Sequence, residues 1–257
     1  IRILAAGPQT LVQDSGRRGY AHLGVPRAGA FDTRAWQLAN RLVGNATEAA
    51  SLEILGGGVE VEAMGHLTIA VTGAQGPVDI DGRSAGTHTP LHVAPGSRLR
   101  LGAAHTGIRY YLAVSGGIST PAVLGSRSHD TLGRLGPPVV RIGDVLPTGA
   151  QRVGHPLVDH VAAVPPAETF AVLPGPDGTD QLLDELTELI WELDPQSDRI
   201  GIRLRGTPLD TRADTLPSKP MVRGAVQLPP NGLPIILGPD HPTTGGYPVI
   251  AVVTSRS

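Results

Sequence analysis

The sequence predicts a mainly β fold, and three observations support this prediction. Glycine (34) and proline (24) are both enriched among the 257 residues, and these are the least favourable residue types inside helices. Hydrophobic residues form 40% of the chain, which is enough for a core and argues against bulk disorder. Short apolar runs end repeatedly at glycine, proline or aspartate, a pattern typical of strands joined by turns.

Few helices are expected beside these strands. Asp32 is a favourable N-cap for a helix over 33–43, and Gly44 supplies its end. A short turn is predicted over 45–51, and a second helix over 179–190. The predicted apolar helix faces are Ala35, Leu38, Ala39 and Leu42, and Leu182, Leu183, Leu186, Leu189 and Ile190. The predicted strands are 3–5, 10–13, 59–63, 67–72, 78–81, 97–101, 108–114, 139–145, 169–173, 200–205, 224–228, 234–237 and 248–254.

An internal sequence echo indicates two domains. The pattern S-x-R-x-G-x4-G-x-P occurs at 15–26 and again at 197–208. Chance is one explanation in a chain so rich in glycine and proline, and duplication of a small β unit is the explanation we favour. The proline-rich stretch 164–166 is the predicted linker, so the predicted domains are 1–163 and 164–257.

The composition excludes several classes of function. The chain has no cysteine, which excludes disulfides, thiolate metal sites and cysteine nucleophiles. A net charge of −2 and only 3% aromatic residues argue against a nucleic-acid partner. No apolar run approaches the ~20 residues of a membrane span, so we expect a cytoplasmic protein with no membrane partner.

The common motifs of nucleotide binding and hydrolysis do not occur in the sequence. Neither G-x-x-x-x-G-K-[ST], G-x-G-x-x-G, G-x-S-x-G nor H-E-x-x-H is present. His88 with His92, and His155 with His160, have spacings that a metal could use, but proline interrupts both segments. We therefore expect turn or surface histidines and no metal site.

The first candidate site group is Gln13–Gly19, followed by the glycine-rich run 24–32. Glycines allow the backbone to approach a ligand closely, and Asp14 with Arg17 suits a substrate carboxylate or phosphate. An Asp–Arg pair that only fixes a tight turn explains these residues equally well.

Two further groups lie downstream. One runs from Gln227 to Pro234 and continues from Asp240 to Pro248. Its stretch Thr243–Tyr247 offers hydroxyls and unshielded amides suited to an anion-binding nest, and Asp240 and His241 are candidates for an acid or base. The strand end at Gly116 and Gly117 leads to a Gly-Ser-Arg-Ser loop in which Arg127 suits a carboxylate. A polar hairpin and a solvated loop are the respective alternatives.

Taken in chain order, these groups resemble one family. It is known as allophanate hydrolase subunit 2, the carboxyltransferase A and B subdomains of urea carboxylase (urea amidolyase), the Kip inhibitor antagonist, and the C subunit of ATP-dependent 5-oxoprolinase. One departure is Ser-Lys-Pro at 218–220 in place of an acidic segment. The resemblance covers nearly the whole chain through TLVQDSGRRG at 10–19, GVPRAGAFD at 24–32, NRLVGN at 40–45, YLAVSGGI at 111–118, VLGSRS at 123–128, PQSDRIGIRLRG at 195–206, GAVQLPPNGLPI at 224–235 and TTGGYP at 243–248.

The resemblance implies two tandem cyclophilin-like β-barrels. It also implies a partner, a subunit 1 homologue of the Kip inhibitor or carboxyltransferase C and D type, with a LamB/YcsF-type third subunit in the 5-oxoprolinase case. The implied activity is that of one subunit of an ATP-dependent amidohydrolase for a small amide, lactam or urea-derived substrate, with ATP bound by or with the partners. A biotin-dependent carboxyltransferase using carboxybiotin and a non-catalytic regulatory antagonist are the alternatives.

The leading hypothesis assigns roles to the candidate residues. Asp240 is the acid or base, and Arg17, oriented by Asp14, binds a carboxylate or phosphate. The predicted substrate-binding residues are Thr243, Thr244, Gly245, Gly246, Tyr247, Gln227, Tyr111, Gly116, Gly117 and Arg127.

Overall fold

A computed structural model describes residues 1–150, 160–163, 169–210 and 216–254. These residues are mainly β, which confirms the predicted fold class. Their helices are α1 (Thr33–Leu42) and α2 (Asp180–Glu188), with a 3-10 turn at Ala21–Leu23. The strands are β1 (Arg2–Ala6), β2 (Gln9–Gln13), β3 (Ser51–Leu55), β4 (Val59–Glu62), β5 (Leu67–Gln75), β6 (Val78–Ile80), β7 (Arg83–Ala85), β8 (Pro90–Val93), β9 (Arg98–Leu101), β10 (Thr106–Val114), β11 (Val172–Pro174), β12 (Glu192–Leu193), β13 (Gly201–Arg205), β14 (Lys219–Pro220), β15 (Ala225–Gln227), β16 (Ile235–Leu237), β17 (Thr244–Gly245) and β18 (Val249–Val253).

The chain divides into two compact units, and neither is contiguous in sequence. Unit 1 comprises the described parts of Ile1–Arg17, Gly29–His129 and Arg134–Pro166. Unit 2 comprises Arg18–Ala28, Asp130–Gly133 and the described parts of Ala167–Ser257. The predicted boundary between 163 and 164 stays a prediction, because the linker 164–166 lies outside the described residues.

Unit 1 contains two five-stranded antiparallel sheets, in the orders β1-β4-β9-β6-β7 and β2-β3-β10-β5-β8. Their apolar side chains share one buried cluster, to which β10 contributes Tyr110, Leu112 and Val114. The alternate residues Tyr111 and Ala113 belong to a second cluster, which packs against α1. The period-2 alternation of a strand thus gives β10 two buried faces.

Helix α1 agrees with its sequence signals. The Asp32 carboxylate accepts a hydrogen bond from the Ala35 amide at 2.9 Å, and Gly44 adopts a φ of +71° just beyond the helix. The predicted start is therefore confirmed, and the helix ends at Leu42, just before the predicted end at Val43. Trp36, Ala39 and Leu42 form the buried face.

Unit 2 is built on a six-stranded sheet in the order β11-β18-β15-β16-β13-β12. Helix α2 begins after Thr179, whose hydroxyl accepts a hydrogen bond from the Leu182 amide at 3.2 Å, and its Leu186 packs against Val226 and Ile250. Ile190 was expected on this apolar face, but it is 88% exposed, because the helix ends before it. No helix in the described residues is long and apolar enough to cross a membrane.

The observed elements differ from the predicted ones in places. Residues 139–145 do not form a strand, because the Asp144 carboxylate accepts the Arg141 amide at 2.7 Å and closes a turn. Strand β3 was missed, although it is an interior strand of its sheet. The two copies of the echoed pattern differ, since the first contains the turn Ala21–Leu23 and the second contains β13.

Candidate functional site

Asp14 of unit 1 is the centre of a buried polar cluster. It follows β2 and is 7% exposed. One carboxylate oxygen, Oδ1, accepts the hydroxyls of Ser126 and Ser128, each at 2.6 Å, and the Gly16 amide at 2.8 Å. The other, Oδ2, accepts the Arg127 amide at 2.6 Å. Four donors on one carboxylate fix the loop around Arg127 firmly against the end of β2.

The loop held by Asp14 is a tight hairpin over 123–126. The Val123 amide donates to the Ser126 carbonyl at 2.8 Å, and Leu124 and Gly125 have φ values of +52° and +76°. Two successive positive φ values define a type I′ turn. Leucine is unfavourable in this conformation, so the contacts around the hairpin offset a local backbone cost.

Arg17 holds the same hairpin through its carbonyl groups. Its side chain is 2% exposed, and it donates from Nε to Val123 O at 3.2 Å and from Nη2 to Ser128 O. Asp14 therefore acts on the hairpin and not on Arg17, which corrects the prediction that Asp14 orients Arg17. The structure does bring Asp14, Arg17 and Arg127 together.

Three other predicted substrate contacts of unit 1 have structural partners instead. Tyr111 is fully buried, donates to Glu53 Oε2 at 2.8 Å and accepts the Asp32 amide at 2.6 Å. Burial, followed by the neighbouring Glu53 carboxylate, raises the pKa of Tyr111 well above its ordinary value. Tyr111 is thus enclosed and neutral, which removes it from the accessible candidates.

Gly116 and Gly117 lie where their backbone passes close to the backbone of Gly149. Gly116 has a φ of +91°, and a Cβ on it would lie 1.8 Å from Gly149 O. Its amide donates to Asn45 Oδ1 at 2.7 Å, and Gly117 O accepts the Gly149 amide at 3.0 Å. These contacts explain both glycines without a ligand.

Sequence reasoning missed the buried Glu53 of β3. Its carboxylate accepts Tyr111, the Phe31 amide at 2.7 Å and Arg109 Nη1 at 3.2 Å. The Arg109 guanidinium also lies 4.6 Å from the centre of the Phe31 ring. A glutamate inside an apolar strand was the available signal, because a buried charge requires partners.

In unit 2, Asp240 forms a buried ion pair with Arg199. The two side chains are 0% and 1% exposed. Arg199 donates from Nε to Oδ2 and from Nη2 to Oδ1, both at 2.9 Å, and Thr131 donates to Oδ2 from its amide at 2.9 Å and its hydroxyl at 2.7 Å. The role of Asp240 as acid or base stays a prediction. This geometry favours a positioning role, because the bidentate pair engages both carboxylate oxygens and encloses them.

The run Thr243–Tyr247 does not form the predicted nest. Thr244 and Gly245 pair with β14 as β17, and neither Gly245 nor Gly246 has the positive φ that a nest uses. A Cβ on Gly245 would lie 2.6 Å from Nε2 of Gln227, which itself contacts Met221 Sδ at 3.3 Å. Gln227 is buried, whereas Thr244 and Tyr247 are exposed and accessible to a ligand.

The single lysine is held beside this run. Lys219 Nζ lies 2.5 Å from Asp177 Oδ1, and the Val249 amide donates to Asp177 Oδ2 at 3.0 Å. Burial by itself raises the pKa of Asp177, but these hydrogen bonds and the Lys219 charge more than offset it, so the pKa is lowered.

This lowered pKa makes one contribution to stability depend on pH. A carboxyl group whose pKa is lower in the folded state stabilises the fold above its unfolded pKa, and the contribution disappears as pH falls through the folded pKa. We expect the difference in unfolding free energy between the wild type and Asp177→Asn to be constant near neutral pH and to shrink below about pH 4. Urea unfolding from about pH 7 to about pH 2 measures it. Lys219→Met is the matched control and should reduce this pH dependence, and an unchanged dependence would contradict the pairing.

Within the described residues, no group of three or more histidine, aspartate or glutamate side chains has the geometry to hold a metal ion. His88 is buried, which lowers its pKa, and the charge of His160 lowers it further. The His92 ring contacts the Thr68 hydroxyl at 3.1 Å. His155 lies outside the described residues.

The fold and the motif positions define a carboxyltransferase-type chain. Residues 23–257 match the family described as carboxyltransferase domain, subdomain A and B. The match covers most of the sequence, so the chain belongs to this family, which confirms the resemblance.

Individual relatives connect the family to enzymes of two kinds. The C subunit of 5-oxoprolinase from Escherichia coli strain K12 is 38% identical over 98% of this chain and 84% of that protein. The crystal structure of TTHA0988 superposes with a TM-score of 0.88 at 32% identity, over 99% of this chain but only 51% of that one. Kluyveromyces lactis urea carboxylase gives a TM-score of 0.88 at 28% identity, over 98% of this chain and 25% of that one. The chain therefore spans about half or less of these solved chains.

Proposed function

We propose that this chain is the C-type subunit of an ATP-dependent 5-oxoprolinase, which opens a small lactam together with partner subunits. The similarity to the C subunit of 5-oxoprolinase supports this proposal, because it extends over 98% of this chain and 84% of the relative. The proposed partners are a subunit 1 homologue and a LamB/YcsF-type third subunit.

Three cations of this chain are already paired or enclosed, which makes them unsuitable for a triphosphate. Lys219 pairs with Asp177, while Arg17 and Arg199 are 2% and 1% exposed. We therefore assign ATP to the partner subunits. This chain would bind and orient the lactam, whose carbonyl oxygen gains negative charge as the ring opens and needs fixed donors nearby. Among the predicted residues of unit 2, exposed Thr244 and Tyr247 and half-buried Thr243, Gly245 and Gly246 are the accessible candidates for these donors, whereas Arg127 suits a carboxylate.

Reconstitution tests the proposal. The full-length protein, the subunit 1 homologue and the third subunit are purified separately and combined in every pairing. We expect ATP hydrolysis that depends on 5-oxoproline, with release of glutamate, only when all the subunits are present. Activity that persists without this chain would overturn its role as an enzyme subunit.

Carboxyl transfer is the second candidate, because urea carboxylase shares the fold at a TM-score of 0.88. Incorporation of labelled bicarbonate into urea by a complex with a biotin-carrying partner would favour it. No turnover in any combination, accompanied by tight binding to the subunit 1 homologue, would favour a regulatory antagonist.

A further inference from the structure

Arg127 is anchored at one edge of its guanidinium, and the other edge remains available. Its Nε donates to Thr120 O at 2.8 Å, and its backbone amide donates to Asp14 Oδ2 at 2.6 Å. Among the described residues, nothing forms a hydrogen bond or ion pair with its Nη1 or Nη2 atoms. A guanidinium held through Nε presents its two terminal amino groups side by side, which matches the two oxygens of a carboxylate.

Thr120 supplies an independent observation at the same place. The residue is 9% exposed, and its buried hydroxyl has no hydrogen-bond partner in the part of the chain that the structure describes. Buried hydroxyls are normally paired, because losing hydration without a new bond is unfavourable. The hydroxyl belongs to the residue whose carbonyl anchors Arg127, so the unpaired hydroxyl and the unpaired edge of the guanidinium belong to two residues joined by a hydrogen bond.

The local framework is rigid enough for recognition. Asp14 fixes the backbone at Arg127 through the hydroxyls of Ser126 and Ser128 as well as directly. Leu124, at the tip of the hairpin, has a φ of +52°. A leucine in this unfavourable conformation persists only where its surroundings impose it, which shows how tightly the hairpin is held.

We propose that Arg127 and Thr120 form the binding site for the carboxylate of a small substrate, and that Asp14 is the positioning residue of this site. The ligand's identity rests on the proposed function: 5-oxoproline carries one carboxylate beside its lactam. Nη1 and Nη2 of Arg127 donate to the carboxylate oxygens, and the Thr120 hydroxyl donates to one of them. One guanidinium matches the single charge of a carboxylate.

Two ligands that differ only in the carboxylate test this site. 5-Oxoproline and 2-pyrrolidone share the lactam ring, and 2-pyrrolidone lacks the carboxylate. We expect calorimetric titration of the assembled complex to show 5-oxoproline binding about tenfold to hundredfold more tightly. Arg127→Lys should remove most of that difference and leave 2-pyrrolidone binding unchanged, and Thr120→Val should reduce the difference several-fold. Arg100→Lys, on an exposed arginine paired with Glu60, is the matched control and should change neither affinity.

Asp14→Asn separates positioning from general destabilisation. A purely structural role would weaken both ligands together, along with thermal stability. A positioning role lowers the ratio of 5-oxoproline to 2-pyrrolidone affinity and, in turnover, raises KM for 5-oxoproline more than it lowers kcat. An unchanged ratio would overturn the assignment of Asp14.

The outcomes separate a failure of the carboxylate site from a failure of the proposed function. Equal affinity of the wild type for both ligands, equal binding of inorganic phosphate, or an unchanged ratio in Arg127→Lys would overturn the site. Turnover of 5-oxoproline with an unchanged KM in Arg127→Lys would overturn the site and leave the proposed function standing. Arg127-dependent binding without turnover in any combination would overturn the function and support the site.

Discussion

Asp240→Asn is expected to lower the free energy of unfolding by about 3–5 kcal/mol. The wild-type carboxylate is completely buried and accepts both Nε and Nη2 of Arg199 at 2.9 Å. It also accepts two hydrogen bonds from Thr131. Asparagine keeps the size of the side chain but removes its charge, so a buried guanidinium loses its ionic partner. Urea unfolding followed by circular dichroism measures the loss.

The matched control is Asp194→Asn. Asp194 also pairs with an arginine, Arg205, at 2.8 Å, but the Arg205 side chain is 53% exposed. Water solvates such a pair in both the folded and the unfolded state, so we expect Asp194→Asn to lower the free energy of unfolding much less. The double variant Asp240→Leu with Arg199→Met should recover part of the lost stability, because neither buried charge remains. Similar losses in the two single asparagine variants would contradict the importance of burial.

Glu53→Met is expected to cost about 3–5 kcal/mol of unfolding free energy as well, because the buried Arg109–Glu53 pair is broken. The glutamate is 1% exposed and accepts hydrogen bonds from Tyr111, Arg109 and the Phe31 amide. Methionine fills a similar volume without accepting these bonds, so three donors in the interior lose their acceptor.

The loss should be visible locally as well as globally. The amide of Phe31 donates to Glu53, and the amide of Asp32 donates to Tyr111, which Glu53 holds. We expect faster hydrogen exchange at both amides in Glu53→Met. Glu62→Met, at a surface pair with Arg2, is the control. Unchanged protection at Phe31 and Asp32 would show that Glu53 does not organise this segment.

Local signals in the sequence were sufficient for helices and for most strands. Asp32 and Gly44 specify the ends of α1 through neighbouring residues only, so their effect can be predicted without knowledge of the fold. The apolar alternation of 108–114 is equally local, and it correctly predicts β10. Segment 139–145 misled because a side chain, Asp144, competes for a backbone amide.

The site depends on partners that are distant in sequence, which explains why its roles were harder to predict. Arg17 and Asp14 are close in sequence and suggested a pair, but both bind the segment 123–128, which contains the hairpin. Asp240 looked reactive because Arg199 and Thr131, which enclose it, lie far away along the chain. Glu53 could have been suspected from its apolar neighbours, but Tyr111, Phe31 and Arg109 could not have been named as its partners.

The interleaving of the two units restricts how the gene could have evolved. Unit 2 takes Arg18–Ala28 and Asp130–Gly133 from within the N-terminal half of the chain, and Thr131 from the second of these segments donates to Asp240. If the gene were divided between Asp130–Gly133 and the C-terminal part of unit 2, the second product would lack segments that belong to its own unit. Lineages that split or fuse this gene should therefore do so outside these residues, and inherit the two units together.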